Sequence, residues 1–407
     1  MKSKAICILG MHRSGTSTIT RAVNFLGPYI GQEKDMVEPG FDNPEGFWEL
    51  RDVVNLHKRI MTAFKRGEDD TVAPFPRQWH LMDEVRPFKD ELGTVVHRHF
   101  AGQALWAWKD PRTCLTLELW KELLIESGTA LSVIFVVRNP LDVAISLKKR
   151  NGLSFHKSFG FWFNHNISAL ASLQGVPTVF VSYDRFLEEW EPELRRCAKG
   201  LDIAWPKDEL LLRENMGSFI RPTLRHSKSS LDELRDVPAP VRELYRHILD
   251  QTADSTAADA SFFERVDGLF RDFHDYASFF GPDFDDCFER SKRLADLKKH
   301  LVDYEKRLIQ RDQNQVQSDI DTFGCEVFTS DTEQQLRDCC SELDAKDKLL
   351  SEYACSMADQ DRKLAECCQL LAERDLRMQE ILDSASWRIT APARWVSKFL
   401  GSFHPET

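Results

Sequence analysis

The chain lacks long hydrophobic runs, Cys-x-x-Cys pairs and an excess of positive charge. No stretch approaches the roughly 18 apolar residues of a membrane-spanning helix. The apolar run Ala5–Leu9 near the N-terminus is shorter than the core of about 7–15 residues that a signal peptide needs. Without Cys-x-x-Cys pairs a zinc ribbon is disfavoured, and the ten cysteines are expected to be reduced thiols. We therefore expect a cytoplasmic protein.

The charge balance is acidic, with 54 Lys and Arg against 65 Asp and Glu and a net charge of −11. General nucleic-acid binders usually carry net positive charge, so we expect no nucleic-acid partner. Any anion site must then be a local basic pocket. The 407 residues, 42% of them hydrophobic, exclude a wholly disordered chain and allow about two domains.

Short strand-like runs alternate with helix-like periodicity through the first part of the chain. The predicted strands are Ala5–Leu9, Leu131–Val137 and Thr178–Ser182. The predicted helices are Thr16–Leu26, Leu141–Lys149 and Phe186–Lys199. This alternation is typical of an α/β domain around a parallel sheet. We predict a P-loop-like, three-layer α/β domain over residues 1–285.

The composition changes after Gly281, where glycine almost disappears. Apolar residues then follow the three-and-four spacing of a helical seam, at Leu294, Leu297, Leu301, Tyr304 and Leu308. A second seam repeats every seven residues, at Leu336, Leu343, Leu350, Met357, Leu364, Leu371 and Met378. We predict a helical coiled coil over residues 286–382 that forms a homodimer. A single solvated helix is the alternative.

The last segment, residues 383–407, has two Trp, Phe residues and basic residues in its first part. This mixture suits peripheral contact with a membrane, here the inner membrane face, or a docking groove. An ordinary packed tail is the alternative.

The clearest chemical motif follows the first strand and reads Gly10-Met11-His12-Arg13-Ser14-Gly15-Thr16-Ser17. Backbone N–H groups of such a loop converge on an anion, and the helix after it adds partial positive charge. A Walker A loop has Lys where this chain has Thr16. The only Lys or Arg in the loop is Arg13. The motif predicts a phosphate cradle with a relocated cation; an ordinary glycine turn is the alternative.

A second motif reads Leu131-Ser-Val-Ile-Phe-Val-Val-Arg138-Asn139-Pro140-Leu-Asp-Val-Ala-Ile-Ser146. The strand delivers Arg138 to its end, Asn139 suits an N-cap, and Pro140 suits the first turn of a helix. Ser146 lies two turns into that helix. A guanidinium together with a hydroxyl predicts a second anion site.

The two motifs together resemble those of the sulfotransferases that use 3′-phosphoadenosine-5′-phosphosulfate (PAPS), over roughly residues 1–230. The Arg in the loop is more similar to the carbohydrate and tyrosylprotein members. The resemblance implies that one set of residues contacts the 5′-phosphosulfate: Arg13, Ser14, Gly15, Thr16 and Ser17. It implies that Arg138 and Ser146 contact the 3′-phosphate and that Tyr183 lies near the adenine. Arg225, with Arg221, is implied to close over the nucleotide.

Two further stretches resemble the bacterial members: Asp42-Asn43-Pro44-Glu45-Gly46-Phe47-Trp48-Glu49 and Trp106-Ala107-Trp108-Lys109-Asp110-Pro111-Arg112. Sulfonyl transfer needs a base for the acceptor hydroxyl, and a buried carboxylate with a raised pKa can serve. Glu49 is the first choice and Glu45 the second, while Glu33 and Glu38 stay open.

Cytosolic relatives use a histidine base, for which His97 and His99 are the candidates in this chain. Lys109 and Arg112 are expected to add positive charge to the pocket. An ion pair involving Asp110 is the alternative role for these two cations.

The resemblance implies sulfonyl transfer from PAPS to a hydroxyl, leaving adenosine 3′,5′-bisphosphate, with no metal. The expected acceptor is a carbohydrate, such as a cell-surface glycan precursor; lipid, peptide tyrosine and small-molecule hydroxyls stay open. Two alternatives are a P-loop nucleotide-dependent kinase and a catalytically silent nucleotide-binding scaffold that acts through its coiled coil.

Overall fold

The structure is a computed structural model that describes residues 3–40, 43, 46–67, 72–220, 234, 237–253 and 260–323. Its strands are β1 (Lys4–Leu9), β2 (Leu105–Trp108), β3 (Ala130–Val137) and β4 (Thr178–Ser182). Its first six α-helices are α1 (Thr16–Phe25), α2 (Arg51–Ala63), α3 (Arg86–Phe100), α4 (Thr113–Glu126), α5 (Pro140–Asn151) and α6 (Phe155–Ala171). They are followed by α7 (Tyr183–Glu188), α8 (Trp190–Gly200), α9 (Glu209–Phe219), α10 (Ala239–Ala253), α11 (Ala260–Phe279) and α12 (Gly281–Phe323).

The four strands form one parallel sheet in the order β2-β1-β3-β4. Ile6 of β1 lies opposite Ala107 of β2 on one side and Ser132 of β3 on the other. Ala5–Leu9 is completely buried, which explains why β1 is a continuous apolar run rather than an alternating one. The predicted α/β class with a central parallel sheet is confirmed.

The edge strand β2 was not predicted from the sequence. It has only four residues, Leu-Trp-Ala-Trp, and its tryptophans stack on side chains of the helices beside it. Trp106 stacks on Phe100 of α3 with ring centroids 4.1 Å apart, and Trp108 stacks on Trp120 of α4 at 4.2 Å. A run this short carries too little periodicity to separate a strand from a loop.

The helix predicted over Phe186–Lys199 is wrong in one respect, because the structure divides it into α7 and α8. The break is at Glu189, whose φ of −137° and ψ of 58° are not helical. Pro192 supplies the reason: in an unbroken helix its ring would clash with the carbonyl of Glu188, and it could not donate a hydrogen bond. As the third residue of a new helix it needs no such bond.

The chain divides into two compact units after Val302, and α1–α11 all belong to the first unit. Within α12, three residues of the first predicted seam are at least half exposed: Leu297, Leu301 and Tyr304. The second seam, Leu336–Met378, and the tail 383–407 lie outside the described residues. Among the described helices, none is both long and apolar enough to cross a membrane.

Candidate nucleotide and sulfonyl-transfer site

The strand order creates a switch point at the carboxyl edge of the sheet. From β1 the chain proceeds to β2 on one side, and from β3 it proceeds to β4 on the other. The loops after β1 and β3 therefore leave in opposite directions. In open α/β sheets such a switch point is where ligands bind. The two sequence motifs supply these two loops, Gly10–Gly15 and Arg138–Asn139.

The first loop is shaped by close backbone contacts that only glycine permits. A Cβ on Gly10 would lie 2.6 Å from the carbonyl oxygen of Val136 in β3. Gly15 has a φ of +84° and caps α1, and Arg13 also has a positive φ, of 65°. The turn thus delivers the chain directly into the N-terminus of α1, where unpaired N–H groups and the helix dipole favour an anion.

Ser14 is a polar residue in the buried part of this loop. Its side chain is 1% exposed, and its Oγ has no hydrogen-bond partner among the described residues. Buried hydroxyls are rarely left unsatisfied, because desolvation is costly without a compensating bond. An anion in the loop would accept a hydrogen bond from this hydroxyl.

The second loop is organised as the sequence predicted. Asn139 caps α5, accepting a hydrogen bond from the N–H of Leu141 at 2.9 Å, and Pro140 opens the helix. Arg138 is buried at 6% exposure. Trp162 of α6 donates its indole N–H to the Arg138 carbonyl at 3.3 Å, which fixes the end of β3.

The structure brings the two loops into direct contact. Arg138 donates from Nη1 to the carbonyl oxygen of Arg13 at 3.1 Å. Arg13 in turn donates from Nε to the Oγ of Ser146 at 2.9 Å. The sequence assigned Arg13 to one anion pocket and Ser146 to the other. In the structure these hydrogen bonds join Arg138, Arg13 and Ser146 into one group.

Tyr183 closes the same region from the end of β4. It is the first residue of α7 and is 4% exposed. A Cβ on Gly15 would lie 2.0 Å from Cδ2 of its ring, and the Arg138 guanidinium lies 5.2 Å from the ring centroid. Burial raises the pKa of the Tyr183 hydroxyl. The ring therefore touches both loops and is more than an isolated core tyrosine.

Of the candidate carboxylates, Glu49 is the buried one. It is 7% exposed, whereas Glu33 and Glu38 are exposed. Burial raises its pKa, although the Lys109 ammonium, 2.5 Å from Oε1, opposes that shift. Glu45 lies outside the described residues. The properties expected of a base, burial and a raised pKa, are thus present at Glu49.

Lys109 lies directly after β2, the strand next to β1. It is 3% exposed and pairs with Glu49. The segment that carries Glu49 also meets the first turn of α1: Ser17 donates from Oγ to the Phe47 carbonyl at 3.3 Å, and Asn43 donates from Nδ2 to Ser17 Oγ at 3.4 Å. The ion pair and the N-terminus of α1 are therefore connected through this segment.

Sequence reasoning missed three buried histidines near these residues. His57 of α2 bonds to Asp110, with Nδ1 2.8 Å from Oδ2. His12 lies in the first loop and stacks on Phe161 of α6, with His165 edge-on at 5.8 Å. Burial lowers the pKa of His12 and lowers that of His165 to about 3. Contacts between such distant positions leave no local signal in a single sequence.

The remaining candidates lie elsewhere or are not described. His99 of α3 pairs with the Asp52 carboxylate, Nε2 to Oδ2 at 2.9 Å, and His97 is on the same helix. Arg221 and Arg225 lie outside the described residues. In the part of the chain that the structure describes, no group of three or more His, Cys, Asp or Glu side chains is placed to hold a metal ion.

Comparisons with known proteins give structural neighbours only. No family model matches the sequence, and no curated protein matches it. The chain is similar to the sulfotransferase domain from the curacin biosynthetic pathway, with 10% identity, a TM-score of 0.29 and coverage of 67% of this chain and 98% of that chain. It is also similar to the sulfotransferase domain from the Synechococcus PCC 7002 olefin synthase, with 16% identity, a TM-score of 0.34 and coverage of 67% and 96%.

Proposed function

We propose that this protein is a PAPS-dependent sulfotransferase that moves a sulfonyl group to a hydroxyl, with a carbohydrate as the acceptor class. The observation that carries the proposal is the contact between the two basic loops. Arg138 reaches the backbone of Arg13, and Arg13 reaches Ser146, so both loops border one crevice. A nucleotide with phosphates on both its 5′ and 3′ sides would occupy both pockets at once.

The residues of the crevice suit such a nucleotide. The buried Ser14 hydroxyl and the N-terminus of α1 offer hydrogen bonds to a 5′-phosphosulfate. Arg138 and Ser146 offer a guanidinium and a hydroxyl to a 3′-phosphate. The aromatic ring of Tyr183 lies between the two loops and can contact the adenosine. Thr16 in place of the Walker lysine disfavours transfer of a γ-phosphoryl group from ATP.

The chemical step assigns a role to the Glu49–Lys109 pair. Glu49 accepts the proton of the acceptor hydroxyl while the oxygen forms a bond to sulfur. The bond from sulfur to the bridging oxygen breaks, and its electron pair goes to the departing phosphate. The N–H groups of the loop and the Arg13 cation stabilise that negative charge. Lys109, beside Glu49, would face the negative oxygens of the sulfonyl group.

The test is transfer from radiolabelled PAPS to a panel of acceptors, with mass spectrometry to detect the gain of one sulfonyl group. The panel contains oligosaccharides, tyrosine peptides, phenols and lipid alcohols, and ATP replaces PAPS in a parallel arm. We expect label on an oligosaccharide and none from ATP. Folded protein that transfers to no acceptor, or that transfers phosphate from ATP, would refute the proposal; transfer only to another acceptor would refute the carbohydrate part.

A further inference from the structure

A chain of buried hydrogen bonds runs from the middle of α2 to Asp110, the residue after Lys109 of the Glu49–Lys109 pair. It begins at His57, which is completely buried. Trp120 of α4 donates its indole N–H to Nε2 of His57 at 3.0 Å. On the other side of the ring, Nδ1 lies 2.8 Å from Oδ2 of Asp110. Asp110 is the residue after Lys109, at the carboxyl edge of β2.

These contacts determine which nitrogen of His57 carries the proton. An indole N–H can only donate, so Nε2 must present its lone pair to Trp120. Nδ1 therefore carries the hydrogen and donates it to Asp110. The hydroxyl of Thr116 lies 3.2 Å from the same Nε2 and can donate to it as well, so the geometry favours the tautomer of His57 with its hydrogen on Nδ1.

Asp110 is fixed from its other oxygen as well. Oδ1 accepts from the backbone N–H of Arg112 and from its Nη1, both at 3.0 Å. Although burial alone would raise the pKa of Asp110, Arg112 and His57 hold it below its ordinary value. Asp110 is therefore an ionised carboxylate that accepts three hydrogen bonds, one from His57 and two from Arg112. The bond from His57 connects α2 to the turn between β2 and α4. Lys109 is the residue before Asp110, so the chain joins it directly to this fixed carboxylate.

We infer that His57 is a positioning residue for the proposed transfer, because through Asp110 it fixes the turn that holds the Lys109 ammonium on Glu49. The inference rests on the proposed function for the reaction it serves. His57 itself touches neither loop of the nucleotide crevice in the contacts described above. Its loss should therefore disturb turnover and leave nucleotide affinity in place.

Two amide variants separate positioning from packing. In His57→Asn the side-chain amide can place an N–H where Nδ1 now lies and donate to Asp110. In His57→Gln the amide reaches the Nε2 position instead, so Asp110 loses this donor while the polarity stays similar. A displacement of about 1 Å at reacting groups can cost about 100-fold in rate. We expect His57→Gln to lower kcat about 10- to 100-fold, and His57→Asn to stay within about threefold of wild type.

The readouts are kcat and KM for sulfonyl transfer, together with calorimetric affinity for adenosine 3′,5′-bisphosphate, which should change less than about twofold. Equal losses in both variants, or an unchanged kcat in His57→Gln, would overturn the inference. If His57→Gln does not fold, Asp110→Asn decides, because its amide oxygen can still accept from Arg112 while its NH2 group faces Nδ1 of His57 and cannot accept from it. We expect its kcat to fall with nucleotide affinity retained; an unchanged kcat overturns the inference. No transfer by the wild type would instead refute the proposed function.

Discussion

Arg13 donates from Nε to the Oγ of Ser146 at 2.9 Å, across 133 positions of sequence. The first residue lies in the loop after β1, and the second lies two turns into α5, after β3. A single bond thus spans the point at which the direction of strand connection reverses. Because Arg138 also donates to the carbonyl of Arg13, the backbone of Arg13 is held by the second loop and its side chain by α5.

Gly15→Ala should lower the stability of the fold by more than the strain of a positive φ alone would cost. A Cβ there would collide with the Tyr183 ring, at 2.0 Å from Cδ2. Gly175 is the matched control, since it has a similar φ of +76° and open space around it. We expect Gly175→Ala to cost about 1–2 kcal/mol of unfolding free energy, and Gly15→Ala to cost more and to abolish nucleotide binding. Equal losses in urea unfolding would contradict the packing of Tyr183 on the loop.

Glu49→Gln should slow transfer and leave nucleotide binding intact. The amide oxygen can still accept from Lys109, but the side chain can no longer take a proton. Positioned bases contribute about 10²–10⁴-fold, so we expect a loss of kcat in that range. Glu38→Gln, an exposed carboxylate of the preceding segment, is the control. Wild-type turnover in Glu49→Gln would place the base elsewhere.

The pH dependence of kcat should show the environment of Glu49. Its pKa is raised above the ordinary glutamate value by burial and, less strongly, by Asp110, whereas Lys109 and Arg112 lower it. The base must be ionised, so kcat should fall as the pH drops through this raised pKa. Lys109→Met removes a lowering charge, and the acid limb should then move to higher pH. A limb that moves to lower pH, or not at all, would contradict the pairing.

Stability should decrease on acidification because buried histidines must take up protons. His165 is neutral in the fold, with a pKa of about 3, against about 6.5 in an unfolded chain. A lowered pKa stabilises the fold above about pH 6.5, and this contribution is lost as the pH falls toward 3. We expect His165 to account for about 1–2 kcal/mol between pH 7.5 and 5. Urea unfolding of His165→Gln should show a shallower pH slope than wild type.

The control for this slope is His156→Gln, since His156 lies on α6 like His165 but is exposed. An identical slope for His165→Gln and wild type would mean that other groups determine the acid sensitivity.

The features of the fold that depend only on residues close together in the sequence could be predicted. Three strands, the cap at Asn139 and the start of α1 after Gly15 depend on neighbouring residues, and the structure agrees with them. The division of a helix at Glu189 was missed although Pro192 signals it. The bond between Arg13 and Ser146 could not be predicted, because it depends on how two separate loops meet in space.

The same distinction applies to the candidate site. The sequence favours Glu49 because it follows aromatic residues, and the structure shows it buried and paired with Lys109. His57 was missed, since nothing in the amphipathic pattern of α2 marks it as polar and buried. Its partners, Asp110 and Trp120, are 53 and 63 positions away. Only its contacts with Trp120 of α4 and with Asp110 after β2 reveal that it belongs to the network.

The most direct test of the central claim compares two nucleotides by calorimetry, adenosine 3′,5′-bisphosphate and adenosine 5′-monophosphate. If one molecule spans both loops, the wild type should bind the bisphosphate about 10- to 100-fold more tightly, since a charge-assisted contact contributes about 1.5–3 kcal/mol. Arg138→Ala should remove that preference, whereas Arg86→Ala, on the exposed start of α3, should keep it. Equal affinities in the wild type, or a preference that survives Arg138→Ala, would contradict the account.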